Sequence, residues 1–126
     1  LLSLSSFGIG TDFLKTSAIS VLWSTMLRTI LRSARKDLLG LEQSVRESGL
    51  DFCIVRPVGL TPSEAPQGSC DQLLSKEDGN LEILMSKSDA AVFMLKEALD
   101  PTIHGREVTI GYSTTRKTAG KEQAIE

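Results

Sequence analysis

The chain has few of the residues that build metal centres and disulfide frameworks. Its 126 residues include two cysteines, Cys53 and Cys70, and one histidine, His104. Two cysteines this far apart exclude a Cys-x-x-Cys redox pair and a cysteine cluster. A lone histidine with no partner at ligand spacing predicts a surface residue. We therefore expect no metal site, an inert buried thiol at Cys53 and a reducing, intracellular environment.

The chain also lacks a long apolar run and an excess of basic charge. Its most apolar stretch is interrupted by Ser20, Ser24, Thr25 and Arg28, so it falls short of the roughly 18 residues that a membrane span needs. The formal net charge is −2, whereas binding to nucleic acid or an anionic membrane needs clustered Lys and Arg. The sequence predicts one domain that binds neither nucleic acid nor membrane, and it indicates no oligomeric state.

The first half of the chain has the pattern of an α/β sheet. A short apolar strand at 1–4 is followed by helical periodicity over about 12–47, with a break near 33–37. A buried strand at 52–55 comes next. Because Pro cannot donate to a strand ladder, we expect Arg56-Pro57 to end this strand. Helix, short turn and buried strand in succession predict an α/β fold.

The second half predicts shorter elements. Ser86, with an acid three positions later, has the pattern of a helix N-cap, and Asp100-Pro101 has the pattern of a helix end. The expected elements are a surface loop at 59–71, short strands at 72–74 and 81–85 around a turn at 77–80, a helix at about 87–99, a strand at 106–111 and a polar tail over about 113–126.

Four segments, taken together, resemble one family. They are Leu4-Ser5-Ser6-Phe7-Gly8, the pair Asp37 and Glu42 leading into Arg46-Glu47-Ser48-Gly49-Leu50-Asp51, then Ile54-Val55-Arg56-Pro57, and Met85-Ser86-Lys87-Ser88-Asp89-Ala90-Ala91. In this order they resemble the atypical short-chain dehydrogenases/reductases, specifically the NmrA-like proteins and the biliverdin-IXβ and flavin reductases. The resemblance implies an α/β fold that is the C-terminal part of a doubly wound, mostly parallel Rossmann-like sheet. We expect a partial domain that starts after the half carrying the glycine motif.

The resemblance also implies a function and a cofactor. It predicts an NAD(P)-binding domain of an oxidoreductase-like protein, with hydride transfer from NAD(P)H to a small organic acceptor in the full-length form. The alternative is a non-catalytic NAD(P)-sensing or scaffold protein of the NmrA-like type. NADP is preferred over NAD on the resemblance alone, and the partners are the dinucleotide and a small-molecule substrate. The expected location is cytoplasmic, with an organelle as the alternative.

Carried over by position, the resemblance predicts a nicotinamide site at two strand ends. Its cofactor-binding residues are Ser5, Ser6, Arg56, Pro57, Val58, Gly59 and Leu60. Ser6 is the catalytic candidate, because its hydroxyl can orient a carbonyl or a water. The competing interpretations are that Ser5 and Ser6 only turn the chain, and that Arg56 pairs with a carboxylate and fixes the loop. For Arg56 we prefer the second interpretation.

Two motifs of dinucleotide oxidoreductases are missing from these residues. Gly8-Ile9-Gly10 has no third glycine at the spacing of a phosphate-binding turn. The only tyrosine, Tyr112, has no lysine four positions later, so the Tyr-x-x-x-Lys acid–base pair is absent. Three interpretations of Glu42 are open. It is a solvated helix residue, it contacts the Ser-Gly turn, or it belongs to the site. We expect these residues by themselves to bind a dinucleotide poorly.

Overall fold

The computed structural model describes residues 1–7, 18–62, 71–74, 81–82 and 84–113. Its elements, in chain order, are β1 (Leu2–Leu4), α1 (Ala18–Thr29), α2 (Arg32–Glu47), β2 (Cys53–Pro57), β3 (Gly59–Thr61), β4 (Asp71–Leu74), β5 (Leu84–Ser86), α3 (Lys87–Leu99) and β6 (Arg106–Gly111). Gly8-Ile9-Gly10, Cys70, the turn at 77–80 and the tail beyond 113 lie outside the described residues. None of the described helices is both long and apolar enough to cross a membrane.

Strand β2 is the centre of a four-stranded sheet. The strand order is β1-β2-β6-β4, with β1 and β6 parallel to β2 and β4 antiparallel to β6. All five residues of β2 are buried, as expected for a strand with neighbours on both edges and both faces covered. The predicted α/β fold with a mostly parallel sheet is confirmed.

Strand β2 ends at Arg56-Pro57, as predicted, but both residues belong to the strand, which was expected to cover only 52–55. Pro57 is in register with Ile110 of β6, yet its carbonyl oxygen accepts from the amide of Phe7, on the β1 side. In a parallel ladder the amide and carbonyl of one residue point to the same neighbour. The missing N–H of Pro57 therefore points past the end of β1 and removes no hydrogen bond to β6.

The predicted loop at 59–71 was wrong in its first residues. Gly59–Thr61 forms β3, which pairs in parallel with Leu84–Ser86 of β5 as a separate two-stranded sheet. The two short strand candidates of the second half do not pair with each other, because β4 pairs with β6 instead. A three-residue strand that starts at a glycine gives too little periodicity to be found in sequence.

The helices follow the sequence pattern closely at α3 and less closely at α2. Ser86 caps α3 as predicted, because its hydroxyl accepts the amide of Asp89 at 3.1 Å, and the helix has the expected bounds. The break in the first helical region lies at Ile30 and Leu31, earlier than predicted. Residues 33–37 are mostly exposed, so their polar side chains are accommodated within the first turns of α2.

The core lies between the central strands and α3. Its fully buried members include Val55 of β2, Met85 of β5 and Val108 and Ile110 of β6. The last two residues share one face of β6, as the alternation in sequence predicts. This core fixes β2 and β6 side by side and brings the ends of β2, β5 and β6 to neighbouring positions.

Candidate functional site

Strands β1 and β2 end next to each other, and the segment that follows β1 stays in contact with the end of β2. The amide of Ser5 donates to the carbonyl oxygen of Val55 at 2.7 Å, and the amide of Phe7 donates to that of Pro57 at 3.1 Å. The amide of Val58 donates to the carbonyl oxygen of Ile110 at 3.1 Å. The residues after β1 thus contact the last residues of β2, and the residue after β2 contacts β6, at the carboxyl edge of the sheet, where open α/β sheets bind their ligands.

A buried carboxylate of α2 joins these two strand ends. Glu42 accepts the hydroxyl of Ser5 at 2.6 Å and two hydrogen bonds from Arg56, from Nε at 2.9 Å and from Nη2 at 2.6 Å. Arg46 of α2 lies 3.2 Å from the second carboxylate oxygen. The interpretation of Glu42 as a solvated helix residue is wrong, because α2 turns Glu42 and Val45 toward the sheet.

The electrostatics of this group keep Glu42 ionised. Burial by itself raises the pKa of Glu42, but hydrogen bonds from Arg56 and Ser5 and the charges of Arg56 and Arg46 outweigh it, so the pKa is lowered. The carboxylate of Glu42 therefore accepts the hydroxyl proton of Ser5 and pairs with the guanidinium of Arg56. Arg56 thus pairs with a carboxylate, which is the interpretation that we prefer from the sequence.

The other predicted site residues differ in what they present at this edge. Among the described residues, the hydroxyl of Ser6 has one long contact, 3.4 Å, with the carbonyl oxygen of Phe7, so this contact holds it weakly. Pro57 and Val58 are buried, whereas Gly59 is half-buried and Leu60 is exposed. Of the seven predicted residues, Ser6, Gly59 and Leu60 therefore offer the most accessible surface.

A second polar group at the carboxyl ends of the strands was not predicted. Tyr112, directly after β6, donates its hydroxyl proton to the carboxylate of Asp89 in the first turn of α3. The same hydroxyl accepts the amide of Ser86 at 3.1 Å. Two features of the sequence bear on this polar group. They are the single tyrosine at the end of the last strand and an acid that also serves the helix cap. Neither feature identifies the partner of the tyrosine.

The remaining candidate side chains lie elsewhere. Cys53 is a buried free thiol in β2, and burial raises its pKa to about 11, which confirms the predicted inert thiol. His104 is exposed, as predicted, and pairs with the exposed Asp51 at the amino end of the sheet. Within the described ranges, no group of His, Cys, Asp and Glu is arranged to hold a metal ion.

Comparison with known proteins gives a fold likeness. No family model matches the chain, and no curated protein matches it. A short-chain dehydrogenase/reductase (wide type) from Veillonella parvula in complex with NADP is similar over 88% of this chain and 49% of that one, at 13% identity and a TM-score of 0.70. The protein chuY from E. coli CFT073 matches over 87% and 50%, at 19% identity and a TM-score of 0.64.

A third similar structure bears directly on the class of fold. A Rossmann-fold NAD(P)-binding family protein from Shigella flexneri matches over 88% of this chain and 44% of that chain, at 20% identity and a TM-score of 0.51. The described chain thus has the architecture of part of a Rossmann-like sheet. It spans about half the length of the solved structures that it matches.

Proposed function

We propose that this chain supplies the nicotinamide side of an NAD(P)-binding domain in an oxidoreductase-like protein. The observation that carries the proposal is the contact between the segment after β1 and the last residues of β2, at the edge where Rossmann-like sheets bind dinucleotides. In this proposal the phosphate-binding glycine turn belongs to polypeptide outside these residues. The complex of NADP with a protein of similar fold is in line with it.

The residues at this edge would have two roles toward a dinucleotide, direct contact and support. Ser6, Gly59 and Leu60 would contact the nicotinamide, because they are accessible and Gly59 allows close approach of the backbone. Pro57 and Val58 would shape the floor beneath it. Ser5 and Arg56 would act through Glu42, by holding the strand ends at a fixed separation. Because two arginines neutralise Glu42, the edge carries no uncompensated negative charge from it.

When bound, NAD(P)H would supply a hydride to an acceptor placed against its nicotinamide. The chain would contribute orientation, which accounts for a large share of rate enhancement in such reactions. The Ser6 hydroxyl would orient the carbonyl of the acceptor, or a water beside it. We further propose a small organic acceptor, NADP in preference to NAD, and an intracellular, cytoplasmic protein, for which the free thiol of Cys53 is suitable.

A cofactor-sensing protein without turnover is the second candidate. The observation that favours it is the engagement of the only tyrosine, because Tyr112 already donates its proton to Asp89. Arg116 stands where the acid–base pair of the wider superfamily has lysine. A sensor would keep the nicotinamide edge and bind the dinucleotide without passing a hydride.

Cofactor binding is tested in the complete gene product that contains this chain, with Leu60→Asp as the variant. A carboxylate on the exposed strand β3 should weaken NADPH binding about tenfold, because docking of the nicotinamide would desolvate it. Leu50→Asp is the matched control, since Leu50 is exposed beyond the opposite end of β2. Calorimetric titration should give unchanged affinity for the control. Equal affinities of all three proteins would refute the nicotinamide assignment.

Turnover separates the reductase from the sensor. NADPH oxidation is followed with flavin and quinone acceptors in the wild type and in Ser6→Ala. A reductase should oxidise NADPH, and the variant should lose more in rate than in NADPH affinity, because the hydroxyl acts on the acceptor. Tight binding without oxidation across the acceptors would favour the sensor.

A further inference from the structure

Strand β3 carries Gly59 and Leu60, and its own pairing is slight. Its ladder partner is β5, three residues against three, and the two strands form a sheet of their own. A two-stranded sheet is marginally stable without further support. Val58 anchors the start of this segment on β6, and beyond it the position of Gly59 and Leu60 depends on what fixes β5.

One side-chain hydroxyl fixes the end of β5 to two other elements. The hydroxyl of Tyr112, which follows β6, accepts the amide of Ser86, the last residue of β5. The same hydroxyl donates to Asp89 in the first turn of α3, and Asp89 in turn donates its amide to the hydroxyl of Ser86. Tyr112 thus connects the main sheet, the small sheet and the helix that follows it.

Burial makes this connection difficult to replace. Ser86 is fully buried and Asp89 is 5% exposed, so water has little access to substitute for the lost hydroxyl. A buried amide such as that of Ser86, left without its acceptor, costs more than the hydrogen bond gains. The ring of Tyr112 packs against the core cluster, so Tyr112→Phe would remove the hydroxyl and retain the packing.

We propose that Tyr112 is a positioning residue for the nicotinamide edge: its hydroxyl, bonded to Ser86 and Asp89, sets the place of β5 and, through it, of Gly59 and Leu60 on β3. The effect on β3 is a property of the fold. The consequence for cofactor affinity rests on the proposed function.

The first experiment measures amide hydrogen exchange in Tyr112→Phe. We expect about tenfold faster exchange in β3 and β5, because loss of the hydroxyl makes local opening of this sheet easier. Exchange in β2 and in the first half of β6 should be unchanged. Equal acceleration in β2 and β3 would indicate general destabilisation and would overturn the proposal, as would unchanged exchange in β3.

Thr102→Val is the matched control for that experiment. It also removes a hydroxyl that donates to a buried carboxylate, since Thr102 donates to Glu97 at 2.9 Å near the other end of α3. Its β3 amides should exchange at the wild-type rate. Acceleration of β3 in Thr102→Val as large as in Tyr112→Phe would show that β3 does not depend specifically on Tyr112.

The second experiment compares two ligands of the complete gene product, NADPH and 2′-phospho-ADP-ribose, which lacks the nicotinamide. Tyr112→Phe should weaken NADPH binding several-fold and leave binding of the fragment unchanged, because only the nicotinamide would meet β3. Equal affinity of the wild type for both ligands would contradict the proposed function. A wild type that prefers NADPH, with the same preference in Tyr112→Phe, would contradict the role of Tyr112 alone.

Discussion

Two buried glutamates, one near each end of the sheet, are held in opposite ways. Glu42 lies beside the carboxyl ends of β1 and β2, and two arginines contact it. Glu97, in the last turns of α3, accepts the amides of Thr102 and Ile103 at 2.7 and 2.6 Å and the hydroxyl of Thr102 at 2.9 Å. These donors of Glu97 are all uncharged.

The pKa of each glutamate is lowered, although burial by itself raises it in both. For Glu42 the opposing causes are hydrogen bonds from Arg56 and Ser5 and the charges of the arginines. For Glu97 they are chiefly the two amides and the hydroxyl. The two glutamates thus differ in the charge of their partners. Glu42, at the candidate site, is stabilised by charged arginines, whereas Glu97, at the turn before β6, is stabilised by uncharged amides and a hydroxyl.

The largest expected effect comes from removing the buried cation. Arg56→Met should lower the free energy of unfolding by about 3 to 5 kcal/mol, because it leaves an ionised carboxylate buried with its main partner lost. Urea denaturation of the variant and the wild type measures the difference. A loss below about 1 kcal/mol, the range of exposed pairs, would show that the Glu42 group does not stabilise this edge.

The opposite end should respond less strongly. Glu97→Ala should cost about 2 kcal/mol, because it leaves the buried amide of Ile103 and the amide of Thr102 without their acceptor. Glu97→Gln should cost less than Glu97→Ala, since one side-chain oxygen still accepts both amides. Denaturation of both variants checks the order. If the glutamine variant were the less stable of the two, the charge rather than the hydrogen bonds would dominate at Glu97.

Low pH should reduce the contributions of both Glu42 and Glu97 to the free energy of unfolding. Each glutamate has its folded-state pKa below the ordinary value of 4.5, so its contribution is fully present above that value and is lost as the pH falls through the folded-state pKa. The free energy of unfolding should therefore decline below about pH 4.5. In Glu97→Gln this decline should be shallower, with the remainder due to Glu42 and other acids. An identical slope in wild type and variant would contradict the lowered pKa of Glu97.

The smallest effect is expected at the outer arginine. The side chain of Arg46 is 39% exposed and lies between Glu42 and Glu107, at 3.2 and 3.5 Å. Arg46→Met should cost about 0.2 to 1 kcal/mol, since solvent screens exposed pairs. The same denaturation series measures it. A cost equal to that of Arg56→Met would mean that burial does not distinguish the two arginines.

Elements with local signals could be predicted from the sequence. Helix α3 has a cap at Ser86 and a stop at Pro101, and β6 alternates accessible and buried positions from Glu107 to Ile110. Gly49 follows the end of α2, where glycine commonly takes the left-handed conformation, and its φ is 72°. In each case the residues that determine the element are close together in the chain, so a short stretch of sequence contains the information.

The candidate site could be predicted only in part. The strand ends followed from the resemblance, but the pairing of Glu42 with Ser5 and Arg56 depends on how α2 is rotated against the sheet, which no local pattern specifies. The partners of Tyr112 could not be predicted for the same reason, because they are far away in sequence. The inclusion of Pro57 in β2 was not predicted, because it depends on which neighbour its nitrogen faces, and that is a property of the finished sheet.

The central position of β2 has a consequence for the speed of folding. Both of its ladders are long-range, since Cys53 pairs with Leu2 on one side and with Arg106 on the other. Each ladder requires closure of a long loop before any of its hydrogen bonds can form, whereas α3 forms from neighbouring residues. This fully buried strand is therefore expected to be assembled late, around helices that have already formed. Its ion pair with Glu42 would then act mainly on the rate at which the chain unfolds.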